Sequence, residues 1–289
     1  MTPQTTPDLP ATALAPAAGR RRHRKVRAEV AVGLGILILM FVLSWCVGLI
    51  RPFSATEVAD IPFQAPNGTH WLGTDDVGRD YFVRVCTAGR VSLTIALVSA
   101  LLSMVIGSSV GLIAGLVGGW VDSIMMSLID LLLSFPSMLL ALGVVAVLSP
   151  SRPTLILVMA LVTVPHFARV VRARCLELRE REFIQSARVS GVPVPVIAVK
   201  HLLPNVLPLM TIQLANTAAI VILLESSLSY LGLGVQPPTP SWGRMVFEAQ
   251  SYMTGSPWLV IGSAAALVLS SVGWGLIGEG FAVSRKSIV

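Results

Sequence analysis

The chain has 289 residues, of which 54% are apolar and only 12% are charged, and its formal net charge is +6. A soluble domain usually carries about twice that charged fraction, so a soluble enzyme or binding domain is excluded. A nucleic-acid-binding protein is also disfavoured, because the Lys and Arg residues flank apolar runs and do not cover one soluble surface.

Six apolar runs follow one another along the chain, and each is about as long as the 20-residue helix that crosses a bilayer. They are predicted to be α-helices, because a helix satisfies its own backbone hydrogen bonds in lipid. Their predicted bounds are 30–50, 91–117, 124–148, 154–171, 206–230 and 258–281, with Pro136 inside the third run. The start of the chain is rich in Pro, Ala and Thr, which predicts a disordered lead-in. The predicted fold is therefore an all-α membrane protein with six transmembrane helices.

The distribution of Lys and Arg predicts that both termini lie in the cytoplasm. Most of the 21 basic residues fall before the first run, between the fourth and fifth runs, or after the sixth. These three places share one side of a six-span protein, so a multi-pass protein of the cell membrane is predicted. Its predicted divisions are a basic cytoplasmic segment 1–29, a first span 30–50, an extracytoplasmic segment 51–90, a five-helix core 91–284 with a cytoplasmic loop 172–205, and a cytoplasmic tail 285–289.

Three features inside the runs have candidate roles. In the second run, Gly107, Gly111 and Gly115 recur every four residues, which leaves one helix face without side chains and predicts close packing against another helix. Glu225 in the fifth run has two interpretations, because a charge at the bilayer centre costs about 2.5–3.5 kcal/mol. It lines a translocation path, or it lies near the outer end and hydrogen-bonds a neighbouring serine turn. Asp130, about two turns into the third run, is expected to reach the interface or to form a local hydrogen bond.

The sequence has no residue set typical of catalysis or of a bound metal. The three cysteines lie far apart and have no paired spacing. Asp75, Asp76 and Asp80 lack the remaining ligand positions of a calcium-binding hand. No Gly-rich loop ends in Lys-Ser or Lys-Thr, so any ATP is expected to bind to another chain.

The most informative segment is 182–205, EFIQSARVSGVPVPVIAVKHLLPN, which lies in the longest predicted cytoplasmic loop. Its first residues have a partial apolar stripe at helical spacing. Gly191 then permits a turn that other residues resist, and Pro193 and Pro195 keep a helix from running straight through. The pattern predicts a short helix, a hinge and a second short segment, a shape that can dock in a groove on a cytoplasmic partner.

This segment resembles the coupling motif of the permease subunits of ATP-driven (ABC) importers, in which an EAA triplet precedes a Gly at a fixed interval and a Leu-Pro follows. The triplet matches as Gln-Ser-Ala at 185–187, so its first two residues depart from the usual Glu and Ala. The resemblance implies an ATPase-coupling role for Glu182, Gln185, Ser186, Ala187, Arg188, Gly191, Leu203 and Pro204.

Three further stretches resemble the dipeptide, oligopeptide and nickel branch of these permeases. They are HWLGTDDVGRDYFVRVCTAGRVSL at 70–93, DLLLSFPSMLLA at 130–141 and ESSLSYLGLGVQPPTPSWGRM at 225–245. With the coupling motif they fall in the expected order over residues 30–284, and they are most similar to the second, C-type permease subunit. The resemblance implies the type I importer permease fold, with a cytoplasmic coupling helix.

The same resemblance implies a subunit that imports di- or oligopeptides and is not itself an enzyme. Its implied partners are a second homologous permease subunit, one or two ATPase subunits that bind ATP and Mg, an extracytoplasmic substrate-binding protein and the lipid bilayer. It implies no cofactor on this chain and no nucleic-acid partner.

Three alternatives stay open. An importer of nickel or of another small solute would have the same architecture. A proton-driven secondary transporter is less favoured, because such proteins need intramembrane acid–base relays and internal repeats, for which Glu225 alone is thin support. A purely structural membrane anchor is the third alternative.

Overall fold

The computed structural model describes residues 17–286, with side chains for 28–283, and the regular elements in that range are helices. The predicted disordered lead-in, residues 1–16, and the end of the predicted tail, 287–289, lie outside the described residues. The elements are α1 (Ala17–Ile50), α2 (Tyr81–Val117), α3 (Gly119–Leu133), α4 (Ser137–Leu148), α5 (Arg152–Arg179), α6 (Glu182–Val189), α7 (Val194–Val196), a π-helical segment (Ile197–Leu202), α8 (Leu203–Tyr230), α9 (Trp242–Gln250) and α10 (Pro257–Lys286).

The number of long apolar helices agrees with the predicted six spans. Within the described residues, five helices are long and apolar enough to cross a membrane, and α3 with α4 makes a sixth crossing when this bent pair is counted as one. The long helices are α1, α2, α5, the continuous stretch from α7 to α8, and α10.

The third predicted span is not one straight helix. The continuous run 124–148 is instead divided into α3 and α4, which are bent by 86° relative to each other. Pro136 lies at the break, where it has extended backbone dihedrals and no N–H to donate to the preceding turn. The predicted third span is therefore bent within its bounds, and the proline inside it is the physical reason.

Two helices extend beyond the predicted spans. Residues 81–90, predicted to belong to the extracytoplasmic segment, form the beginning of α2, because the Asp80 carboxylate accepts a hydrogen bond from the N–H of Val83 at 2.9 Å and caps the helix there. Residues 172–179, predicted to begin the cytoplasmic loop, continue α5 to Arg179. The short helix α9 was not predicted.

The two largest buried clusters each join several helices. The larger one joins α2, α5, α8, α9 and α10, and it includes Trp242, whose Nε1 donates to the carbonyl of Val85 at 2.9 Å. The smaller one joins the last turns of α2 and α5 to α6, the π-helical segment and the start of α8. We call the end of the bundle with this second cluster the α6 end. Residues 51–80 cover the start of α2 at the opposite end.

Candidate coupling site

The short helix α6 is anchored to the bundle through one side chain. Ile184 is fully buried, and it belongs to the same cluster as Leu178 from the end of α5 and Ile197 from the π-helical segment. Ala187, one turn later, packs against this cluster and is partly buried. The partial apolar stripe predicted from the sequence therefore faces the bundle at these two positions, which fixes the orientation of α6.

The ends of α6 are stabilised by charge and by backbone hydrogen bonds. Glu182 lies in the first turn and Arg188 in the last turn, which is the favourable arrangement for the helix dipole. The side-chain amide of Gln185 donates to the carbonyl of Glu180 at 3.2 Å. The Arg188 guanidinium donates to the carbonyl of Leu116 at 3.4 Å, so it also connects α6 to the last turn of α2.

Gly191 ends α6 in a left-handed conformation, with φ of +74°. The N–H of Gly191 donates to the carbonyl of Arg188, and the N–H of Val192 donates to the carbonyl of Ala187, each at 3.0 Å. These two bonds form the Schellman motif, which requires a positive φ at the glycine position. The predicted hinge is thus a defined turn, and the glycine is needed for its backbone angle.

The outer surface of α6 and of the following segment carries exposed apolar side chains among polar ones. Val189 is 91% exposed and Phe183 is 44% exposed, although both are large apolar residues. Val194 and Val199 after the hinge are exposed as well. Glu182 and Ser186, two of the predicted coupling residues, lie among them on the exposed surface.

The hinge is joined to α8 without an intervening loop. The turn α7 leads into the π-helical segment, and α8 begins at Leu203 and continues the same helical stretch, with Pro204 as its second residue. Leu202 and Ile197 are fully buried in the cluster that holds Ile184. Packed side chains therefore connect α6 to the beginning of α8.

Ion pairs stabilise the helices beside this site. The Arg172 guanidinium binds both carboxylate oxygens of Asp122 at 2.5 Å, which ties α5 to the first turn of α3. Arg179 lies 3.3 Å from Glu180, where α5 ends. Many of the basic residues of the predicted loop thus have acidic partners in the chain.

The structure places Glu225 away from α6, in the second-last turn of α8. Its carboxylate is fully buried and accepts hydrogen bonds from Ser229 Oγ at 2.7 Å and from Ser92 Oγ of α2 at 3.2 Å. This geometry favours the second interpretation, a hydrogen bond within the serine turn. A place for Glu225 on the translocation path stays a prediction.

The three glycines of α2 lie against α5. A Cβ atom at Gly107 would be 2.5 Å from the carbonyl oxygen of Val164, and one at Gly111 would be 2.5 Å from that of Ala168. At Gly115 it would be 2.6 Å from the Cβ of Cys175. These distances are shorter than real Cβ contacts, so the geometry supports the proposed packing role.

Sequence reasoning missed a charged cluster at the opposite end. Asp80 Oδ2 lies 2.7 Å from Nδ1 of the buried His70 and 3.7 Å from Arg51. At the exposed rim, the N–H of Ile61 donates to Asp60 and lowers the pKa of its carboxyl group. The sequence shows the aspartates, but it does not show that they contact His70, which lies in a separate turn.

Asp75 has arginine partners in the same region. Its Oδ2 is 2.7 Å from Arg79 and 3.2 Å from Arg84, which also reaches Glu248 of α9 at 3.4 Å. Among residues 17–286, no group of three or more His, Cys, Asp and Glu side chains is arranged to hold a metal ion. The acidic residues of this segment therefore serve as partners for arginine and as a helix cap.

Known proteins are similar in sequence to this chain over most of its length. Residues 107–281 match the family described as the binding-protein-dependent transport system inner membrane component. The chain is 34% identical over 284 residues to a dipeptide transport system permease protein of Alkalihalophilus pseudofirmus, covering 97% of this chain and 93% of the relative. It is 36% identical over 262 residues to a glutathione transport system permease protein of Pectobacterium atrosepticum, covering 90% and 87%. A glutathione transport system permease protein of Shigella flexneri is 38% identical over 263 residues, covering 90% of this chain and 85% of the relative.

Proposed function

Because the chain belongs to the family of binding-protein-dependent transport system inner membrane components, we propose that it is the permease subunit of an ABC importer of di- or oligopeptides. The sequence resemblance to the peptide branch of these permeases is confirmed, and the fold is the type I permease fold. The chain is a transport subunit and not an enzyme, so the energy for uptake comes from ATP hydrolysis on other chains.

The relatives support the substrate class. One of them is named for dipeptides, and the others are named for glutathione, which is itself a small peptide. Copurifying the assembled transporter with its binding protein and identifying the bound ligand by mass spectrometry tests this assignment. A bound peptide is expected, whereas nickel or another small solute as the only ligand would contradict it.

The proposed assembly contains a second homologous permease subunit, one or two ATPase subunits that bind ATP and Mg, and an extracytoplasmic binding protein. We place the α6 end and both termini in the cytoplasm, since most Lys and Arg residues lie on that side. Residues 51–80 and α9 then face the binding protein. A reporter enzyme fused after Val289 that works only outside the cell would contradict this orientation.

The observation that carries the proposal is the arrangement of α6. One side of this helix is locked to α5 and the π-helical segment by Ile184, and the other side presents the apolar residues Phe183 and Val189, which are exposed among the residues that the structure describes. An apolar helix surface beside a polar rim is typical of a helix that docks in a groove of a partner. Closure of the ATPases would then push α6, and the π-helical segment would pass the displacement to α8.

A single charge on this surface tests the docking. Val189→Asp is expected to leave the fold intact, because Val189 is 91% exposed and exposed substitutions usually change stability by less than about 0.5 kcal/mol. It should nevertheless remove the ATPase subunits from the purified complex, because a carboxylate would be buried unpaired in the groove. The amount of ATPase that copurifies with the permease is the measurement.

Val77→Asp is the matched control, since Val77 is also exposed but lies at the opposite end. The control should keep the ATPases. Retention of the ATPases by Val189→Asp as well, with normal uptake, would contradict α6 as the docking helix.

A further inference from the structure

The helix α3 has three different faces. Met126, Ile129 and Leu133 pack against Val164 and Ala168 of α5 and form the buried face. A second face is apolar and exposed, and it consists of Ile124, Leu128 and Leu131. The third face is polar and exposed, and it consists of Ser123, Ser127 and Asp130. Because these residues are four and three positions apart, they lie on one side of the helix.

An ion pair extends this polar face onto α5. The guanidinium of Arg169 lies 2.6 Å from Asp130 Oδ1, and the two side chains are 56% and 59% exposed. His166, one turn before Arg169 on α5, is exposed on the same side. We call the surface formed by Ser123, Ser127, Asp130, His166 and Arg169 the polar face.

The position of this pair is unfavourable unless water or protein covers it. Arg169 lies in an apolar helix that is long enough to cross the membrane, and Asp130 lies in the first half of the apolar bent pair α3 and α4. Exposed charges in membrane helices almost always face the bundle interior or a water-filled cavity. The Asp122–Arg172 pair lies nearer to the α6 end and is better shielded, with side chains 17% and 32% exposed. Asp130 and Arg169 are therefore the more exposed pair, although they lie further from the α6 end and from the aqueous phase on that side.

We infer that the polar face lines the water-filled translocation path, and that Asp130 and Arg169 form a subsite for the charged ends of a peptide in transit. Arg169 is suited to the peptide carboxylate through charge-assisted, two-point hydrogen bonding, and Asp130 is suited to the peptide ammonium group. Glu225 is not available for this role within the chain, because its carboxylate is enclosed by Ser92 and Ser229. The inference rests on the proposed function as a peptide importer.

Two neighbouring cysteine variants test the aqueous exposure. Ser127 and Leu128 are both exposed in the chain, but only Ser127 belongs to the polar face. In everted membrane vesicles with the complete transporter, Ser127→Cys should react with a charged methanethiosulfonate at least about tenfold faster than Leu128→Cys, because the thiolate forms only where it is hydrated. The parent chain with its native cysteines gives the background. Equal rates for the two variants, or crosslinking of Ser127→Cys to the second permease subunit, would overturn the inference.

Two neutral variants test the subsite. Asp130→Asn and Arg169→Gln should each lower the number of peptides imported per ATP hydrolysed by about tenfold, as expected for loss of a charge-assisted hydrogen bond. A purely structural role would lower the amount of assembled transporter and leave this ratio unchanged, which would overturn the subsite. Failure of the parent transporter to import any peptide is a separate result, which would overturn the proposed function.

Discussion

The backbone N–H of Val192 donates to the carbonyl of Ala187 at 3.0 Å, and this bond folds the chain back over Gly191 at the end of α6. The segment after the hinge thus starts at a fixed angle to α6. Because the same segment leads into α8, the bond relates the direction of α6 to that of α8.

Gly191→Val is expected to uncouple ATP hydrolysis from peptide uptake. The φ of +74° would cost a β-branched residue at least about 1–2 kcal/mol, so the turn would open and α6 would change its direction. No neighbouring atom lies within 4 Å of a Cβ placed at Gly191, so this cost comes from the backbone alone. The measurement is the ratio of peptide uptake to ATP hydrolysis in proteoliposomes.

Gly191→Asn is the matched control, because asparagine tolerates the left-handed conformation better than other side chains. Gly191→Asn should retain most of the coupling, although the asparagine side chain is no smaller than the valine side chain. If valine and asparagine had the same effect, the backbone angle would not be the reason.

The coupling segment shows what the sequence can predict. The helix at 182–189 and the turn at Gly191 followed from local rules, because helix periodicity and the left-handed preference of glycine depend only on nearby residues. The sequence did not predict that Phe183 faces outwards while Ile184 faces the bundle. That choice depends on Leu178 and Ile197, which contact Ile184 only in the folded chain.

The membrane helices show the same division between local and long-range information. The length of the apolar runs predicted the six candidate spans. The same length could not predict the 86° bend at the break by Pro136. Asp130 was expected to reach the interface or to form a local hydrogen bond, whereas its partner Arg169 lies on another helix. The short helix α9 was missed because Trp242 gains its stability from burial against Val85 of α2, a contact remote in sequence.

Glu225→Gln is expected to retain peptide uptake within about twofold of the parent, because Ser229 and Ser92 donate to different oxygens of Glu225. The glutamine amide oxygen can accept from one hydroxyl group, and the amide NH2 group can donate to the other, since a hydroxyl oxygen also accepts. Glu225→Leu should destabilise the permease by about 1–3 kcal/mol, because both hydroxyl groups lose their acceptor in a buried site. Thermal unfolding in detergent and uptake in proteoliposomes measure the two effects. A large loss of uptake in Glu225→Gln with normal stability would instead support Glu225 as a path residue.

Gly111→Ala is expected to destabilise the permease by about 1–3 kcal/mol, because it overpacks the contact between α2 and α5. The new Cβ would lie 2.5 Å from the carbonyl oxygen of Ala168 and 2.9 Å from the backbone nitrogen of Arg172, and neither backbone atom can move alone. The unfolding temperature of the detergent-solubilised permease is the measurement. Gly275→Ala in α10 is the control, since a Cβ there would meet no atom within 4 Å, and it should be neutral or slightly stabilising.

Asp80→Ala is expected to destabilise the start of α2 and the segment that covers it. The substitution removes the helix cap on Val83, which is worth about 0.5–2 kcal/mol, and it leaves the buried Nδ1 of His70 without its partner at 2.7 Å. Protease sensitivity of residues 51–80 in spheroplasts should therefore increase, together with a lower unfolding temperature. Asp76→Ala is the control, because Asp76 is more exposed and lies 3.7 Å from its partner Arg79. Equal protease sensitivity in the two variants would show that the cap at Asp80 does not hold this segment in place.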